Sequence, residues 1–303
     1  MHIRRQLLAL GMAPVLFLAL GCAPVDSSTA GGGDEPTPTE SSSESSAPPE
    51  VDPAACAADK VKTPGTLTIG TDSPAYDPWF SDNDPTNGKG FESAVAYAVA
   101  EKLGFASDAV TWTKVPFNSS YAPGPKKFDF DINQISISAA RAKVVDFSDG
   151  YYAASQAVIM LKGDNAEGVS SVAQLKGLKL GAQTGTTSLT AIRDVIQPDS
   201  DPVVFKDTSA AKQALLNGQV DGILADLPTA FYITAVEIPK GTIVGQFQPE
   251  TGEQEEFGML FEKGSPLVEC VNQALAALTE DGTLDSIEQQ WLSDVVDVPE
   301  LTP

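Results

Sequence analysis

Arg141 directly follows Ser136-Ile137-Ser138-Ala139-Ala140, the hydroxyl-rich end of an apolar run. A guanidinium presents two parallel donors that match a carboxylate, and neighbouring hydroxyls such as Ser136 can complete its hydrogen bonds. Thr184-Gly185-Thr186-Thr187-Ser188 follows a short apolar segment and suits the opening of a helix. Free backbone N–H groups and hydroxyls there make a second carboxylate site. Asp226 closes the run Gly222-Ile223-Leu224-Ala225 and precedes Leu227-Pro228, so its carboxylate stands at a strand end where it can hold an ammonium. Together these groups suit a zwitterion. Taken singly, each has a plainer explanation: a surface arginine, a helix cap, an aspartate in a turn.

Other chemistries fall away. The single histidine, His2, lies in a segment read below as a removed signal, so the mature chain has none. That excludes Ser-His-Asp and Cys-His nucleophiles, histidine bases and His-ligated zinc. Three cysteines are too few for a disulfide framework and are wrongly spaced for a zinc ribbon. No phosphate-cradling loop or dinucleotide fingerprint follows a strand. Asp82 to Gly88 has the acids of a calcium loop, but Asn87 stands where glycine is required. No metal or cofactor is therefore expected. With 41 acidic and 19 basic residues and a formal charge of −22, the chain is also a poor partner for nucleic acid.

The elements that must position these groups alternate between strand and helix. Thr66 to Thr71 alternates apolar and polar residues after Pro64-Gly65, as a strand does. Phe91 to Leu103 has helical spacing and stops at Gly104. Val110 to Val115, Phe128 to Ile137, Lys179 to Ala182, Gly222 to Ala225 and Phe257 to Phe261 read as strands. Thr208 is a candidate cap for a helix ending at Gly218, and Leu267 to Trp291 is helical with a break at Gly282. This alternation predicts an α/β fold with largely parallel sheets. A length of 303 residues allows one large or two ordinary domains.

Residues 1–22 carry Arg4-Arg5, then an apolar stretch shorter than the roughly 20 residues a membrane helix needs. The stretch ends at Gly21-Cys22 and resembles a bacterial lipoprotein signal, in which Cys22 becomes the lipidated N-terminus. Residues 23–59 hold eight carboxylates and no basic residue among Ser, Thr, Pro and Gly. Such a segment cannot offset its ordering entropy and is expected to be a disordered tether.

Six segments then match one family in order. FDFDINQISISAARAKVVDFSDGYY (Phe128 to Tyr152) resembles the signature of the extracytoplasmic solute-binding proteins of family 3, which serve ABC importers of polar amino acids. TLTIGTDSPAYDPWF, GFESAVAYAVAEKLG, LKGLKLGAQTGTTS, ALLNGQVDGILADLPTA and FGMLFEKGSPLVECVNQALAALTEDGTLDSI continue the likeness across residues 62–292.

The resemblance implies the two-lobed type II periplasmic-binding-protein fold, with two crossing strands as a hinge. Lobe one would span residues 60–153 plus 252–303, and lobe two residues 154–251. It further implies that Arg141 and Ser136 take the α-carboxylate, with Thr186 and Thr187 reaching it from the other lobe. Asp226 would take the α-ammonium. Tyr76, Trp79 and Phe117 would line the side-chain pocket, Asp72 would stand at its end, and Gln134 and Gln183 at variable contacts. On this likeness the protein is no enzyme but a monomeric receptor, lipid-anchored at the outer face of the cell membrane, handing a free amino acid to a permease. A dehydratase on the same fold is the alternative. Asp72 beside three aromatics favours a cationic or glutamine-like ligand, unless Asp72 is bonded to backbone instead. With Cys22 acylated, Cys56 and Cys270 remain to form a disulfide in the oxidising exterior, or to stay as two separate thiols.

Overall fold

The computed structural model describes residues 52–163, 166–248, 255–292 and 298–303. Cys22, the signal segment and most of the expected tether lie outside them. Two five-stranded mixed sheets, each flanked by helices, give the expected two-lobed α/β architecture.

In the first sheet the order is β2 (Val110–Lys114), β1 (Leu67–Thr71), β3 (Phe130–Asp131), β10 (Glu255–Glu262) and β4 (Val145–Ala154). The alternation read from Thr66 to Thr71 is real: Leu67 and Ile69 are wholly buried. α2 (Phe91–Lys102) buries Phe91, Val95, Ala96, Val99 and Ala100 on one face. It packs against α7 (Val268–Glu280) and α8 (Thr283–Leu292), which together build the core of this lobe.

The second sheet runs β7 (Val203–Phe205), β6 (Leu180–Gln183), β8 (Gly222–Asp226), β5 (Gln156–Leu161) and β9 (Gly241–Phe247). Its helices are α4 (Thr187–Ala191), α5 (Thr208–Leu216) and α6 (Leu227–Tyr232). The chain crosses between sheets from β4 to β5 through Ser155, and again from β9 to β10. These crossings are neighbours, because β4 pairs with β10 and β5 with β9, both antiparallel.

Several expectations change. The sheets are mixed rather than largely parallel, since the two crossing strands run against their neighbours. The strand expected over Phe128 to Ile137 is reduced to Phe130–Asp131, since Gln134 adopts φ 47° and breaks the extended backbone, leaving Ser136 a single bridge to Phe257. The cap of α5 is Asp207, whose side chain accepts from Ala210 N at 2.7 Å, rather than Thr208.

The tether ends earlier than Asp59. Asp52 caps the short helix α1 (Pro53–Ala57), and a disulfide joins Cys56 to Cys270 on α7. The far C-terminus does not stay with the first lobe either. Leu301 is buried in the core of the second, and Glu300 and Thr302 form bridges with Gln246 and Ser171.

Candidate functional site

A cavity of about 290 Å³ lies between the lobes. The first lobe contributes Asp72, Tyr76, Phe117, Asn133 and Gln134 to its wall; the second contributes Gln183, Thr186, Thr187, Asp226 and Thr229. Each is delivered by an element end. Asp72 follows β1, Phe117 opens the short α3 (Phe117–Ser120), Gln183 closes β6, and Asp226 closes β8 just before Leu227 starts α6. Eight of the eleven residues expected at the site thus meet at one cavity.

Three do not reach its wall. Trp79 is wholly buried, edge-on to Phe91, Tyr152 and Phe257. It touches the site only through its indole N–H, which donates to Thr229 Oγ1 at 2.8 Å. Ser136 is buried behind the wall, donating to Glu255 and lying 3.3 Å from Thr187 Oγ1 across the lobes. Arg141 donates to Ser136 O at 2.7 Å and to Gly185 O of the other lobe at 2.9 Å, with the Tyr121 ring 4.8 Å away. Two of the five guanidinium N–H donors are thus engaged with backbone carbonyls.

Thr186 caps α4, accepting from Leu189 N at 3.2 Å and donating to Gln183 O at 2.8 Å. Gln183 in turn accepts from Thr208. Asp72 accepts from Ser73 N at 2.6 Å and Phe117 N at 3.1 Å, so it is bonded to backbone and also faces the cavity. Tyr76 reaches the second lobe at Ser209, 3.2 Å away.

The acids are the unusual part. Glu92 is wholly buried and accepts from Tyr151 and from both nitrogens of Gln134. Burial raises it to about 7 against the opposing pull of those hydrogen bonds. Burial first, then the charge of Glu255, lifts Asp226 to about 8. Asp131 rises too, chiefly by burial, and neither of its oxygens has a partner among the described residues.

A carboxyl raised on folding binds more protons folded than unfolded, so its stabilising share is present below its unfolded value and lost as pH climbs toward the folded one. The ligand-free protein is therefore expected to melt lower at pH 8 than at pH 5. Each group that titrates late costs up to about 1.4 kcal/mol per pH unit within that window, less for Asp226, which borders the cavity. That corresponds to a fall of several degrees in a domain of this size. A thermal denaturation series checks it; a flat or rising melting temperature contradicts it.

Sequence reasoning missed three residues. Asn133 lines the cavity, and its Nδ2 has no partner among the described residues. Gln156 and Glu255, one on each crossing strand, lie buried beside Asp226. Glu255 was findable: strand alternation puts it in phase with buried Phe257 and Met259.

Comparison with known proteins follows the same line. The chain is 30% identical over 238 residues to the L-cystine-binding protein TcyJ of Escherichia coli, covering 77% of this chain and 84% of that one. It is 31% identical over 242 residues to the L-cystine-binding protein TcyA of Bacillus subtilis, covering 78% and 84%. An ancestral arginine-binding protein bound to arginine superposes with a TM-score of 0.63 at 34% identity, covering 75% of this chain and 98% of its own. These relatives are named as binding proteins, not as enzymes. The profile of the family described as bacterial extracellular solute-binding proteins, family 3, matches residues 67–294, and the chain belongs to that family.

Proposed function

We propose that the protein is the extracytoplasmic receptor of an ABC importer, closing its two lobes on one polar amino acid with a cationic or glutamine-like side chain. The observation that carries this is the cavity shared by both lobes, with Asp226 on one wall and Asp72 beside Tyr76 and Phe117 on another. The α-carboxylate goes to Thr186 and Thr187 on the wall, with Arg141 and Ser136 supporting it from behind, and the α-ammonium goes to Asp226. Contacts from both lobes favour the closed form, and that shift of population is what a permease can read. The relatives named for L-cystine and arginine accord with an amino acid as ligand.

The side-chain class in this proposal rests on Asp72, although the backbone bonding that would leave the pocket unspecific is present. Its two backbone bonds hold the carboxylate in place and leave lone pairs facing the cavity, where an acidic ligand meets like charge. A calorimetric screen of the twenty amino acids tests this: arginine, lysine, histidine or glutamine should bind tightest. Asp72→Asn should weaken a cation by roughly tenfold or more and glutamine far less. Acidic amino acids binding tighter than arginine and glutamine would overturn the assignment.

The anchor is the second part of the proposal. Gly21-Cys22 closing the apolar leader supports lipidation at Cys22 and a place on the outer face of the cell membrane. Mass spectrometry of the mature protein should find acyl chains on Cys22, and Cys22→Ala should release the protein. An unmodified cysteine contradicts the anchor.

A further inference from the structure

The inner wall of the cleft carries one acid more than an amino acid needs. Gln156, wholly buried on the first crossing strand, donates one N–H of its amide to Asp226 Oδ1 at 2.9 Å and the other to Glu255 Oε2 at 2.9 Å. Its carbonyl accepts from Ser188 Oγ at 2.6 Å, so both ends of the amide are committed and its orientation is fixed. Glu255, 8% exposed on the second crossing strand, also accepts from Ser136 Oγ. Neither carboxylate has a lysine or arginine within ion-pair distance among the described residues.

A zwitterion is neutral. Arg141 answers its carboxylate and one acid answers its ammonium, so Asp226 and Glu255 together leave a negative charge over, in a place with little water to screen it. Two carboxylates held close by one donor resist ionising together. The other titratable groups facing Asp226 do not relieve this. Glu92 of α2 pushes Asp226 upward as well, Tyr151 and Tyr152 of β4 are raised by burial, and Arg141 is the one cation among the described residues whose charge reaches both acids.

We infer that Asp226, buried in the cleft and faced by Glu255 across Gln156, holds a proton while the cleft is empty, and that the ligand's α-ammonium displaces that proton on binding. The inference rests on the proposed amino-acid site. In the step the Asp226 O–H bond breaks, the proton passes to solvent, and the carboxylate left behind pairs with the ammonium. Glu255 is thus a positioning residue: it touches no ligand atom but sets the charge that Asp226 brings to the empty site. The lift of Asp226 to about 8 by burial and by Glu255 agrees with this.

The test is calorimetry of the amino acid that binds tightest, at pH 6.5 in two buffers of different ionisation heat, which counts protons released. The intact protein should release about one proton per ligand, and its affinity should rise about tenfold per pH unit between pH 5.5 and 7.5. Glu255→Gln keeps the shape but not the charge, and should lower the proton count and move the pH profile to lower pH, leaving only the part that burial imposes. Glu255→Asp keeps the charge and should keep the release.

Amino-acid binding with no proton release overturns the inference and leaves the proposed function standing. Equal release and an unshifted pH profile in Glu255→Gln overturn it as well, since Glu255 then has no part in holding the proton. If no amino acid binds at all, both fall. If Glu255→Gln does not fold, the proton count and pH profile of the intact protein still decide.

Discussion

Asp226→Ala and Arg141→Ala should each weaken amino-acid binding by roughly 30-fold to several thousand-fold, measured by titration calorimetry. Removing one member of a buried charged contact typically costs about 2–5 kcal/mol, much of it because the partner group is left desolvated. At 1.4 kcal/mol per tenfold, that range gives the expected loss. The two variants should differ in kind. Asp226→Ala removes an acid that burial disfavours, so the ligand-free protein should gain stability above neutral pH while losing its ligand. Arg141→Ala also removes a guanidinium that bridges Ser136 O and Gly185 O, so it loses a tie between the lobes together with the carboxylate clamp. Binding within about threefold of the parent in both variants would mean that neither residue holds the ligand.

Gly185→Val should hold the lobes apart. Gly185 sits at φ +77°, and a Cβ there would overlap Asn118 Oδ1 and the Tyr121 hydroxyl of the facing lobe. The left-handed backbone costs a non-glycine residue about 1–2 kcal/mol in any state, whereas the overlap arises only when the cleft is shut. A closed state penalised by a further 2–3 kcal/mol binds ligand about 30-fold to 150-fold more weakly. Small-angle scattering with saturating ligand should show the parent contracting and the variant staying extended. A variant that contracts and binds like the parent would mean that the Gly185 contact plays no part in the bound form.

Much of this fold could be read along the chain, because burial leaves a period. α2 and β1 follow their apolar spacing, and Gly104 ends α2 where glycine suits the turn, at φ +83°. The cavity's charged and aromatic residues were visible as element ends: Asp72 after β1, Asp226 after β8. What spacing cannot give is which surfaces meet when two lobes shut. Trp79 reads as a pocket aromatic, but its ring finds more apolar area among Phe91, Tyr152 and Phe257 than any cavity wall offers. Gln156 looks like one polar residue opening an apolar strand; only the fold shows Asp226, Glu255 and Ser188 closing round its amide. Gln134 broke the expected long strand through a backbone rotation that its residue type does not announce.

The return of the C-terminus to the second lobe makes a mechanical leash. Leu292 is buried in the core of the first lobe and Leu301 in that of the second, with Val298 packed on the second as well. Whatever path residues 293–297 take, six peptide steps from Leu292 to Val298 span at most about 20 Å when taut. The two crossing strands join the lobes, and the chain between Leu292 and Val298 is a third covalent link. While both anchors stay seated, Leu292 and Val298 cannot part by more than that length. A shorter leash would give a receptor that opens less far and recloses over a smaller arc. Cutting the chain there would leave the cavity's lining residues in place and remove that limit on reach.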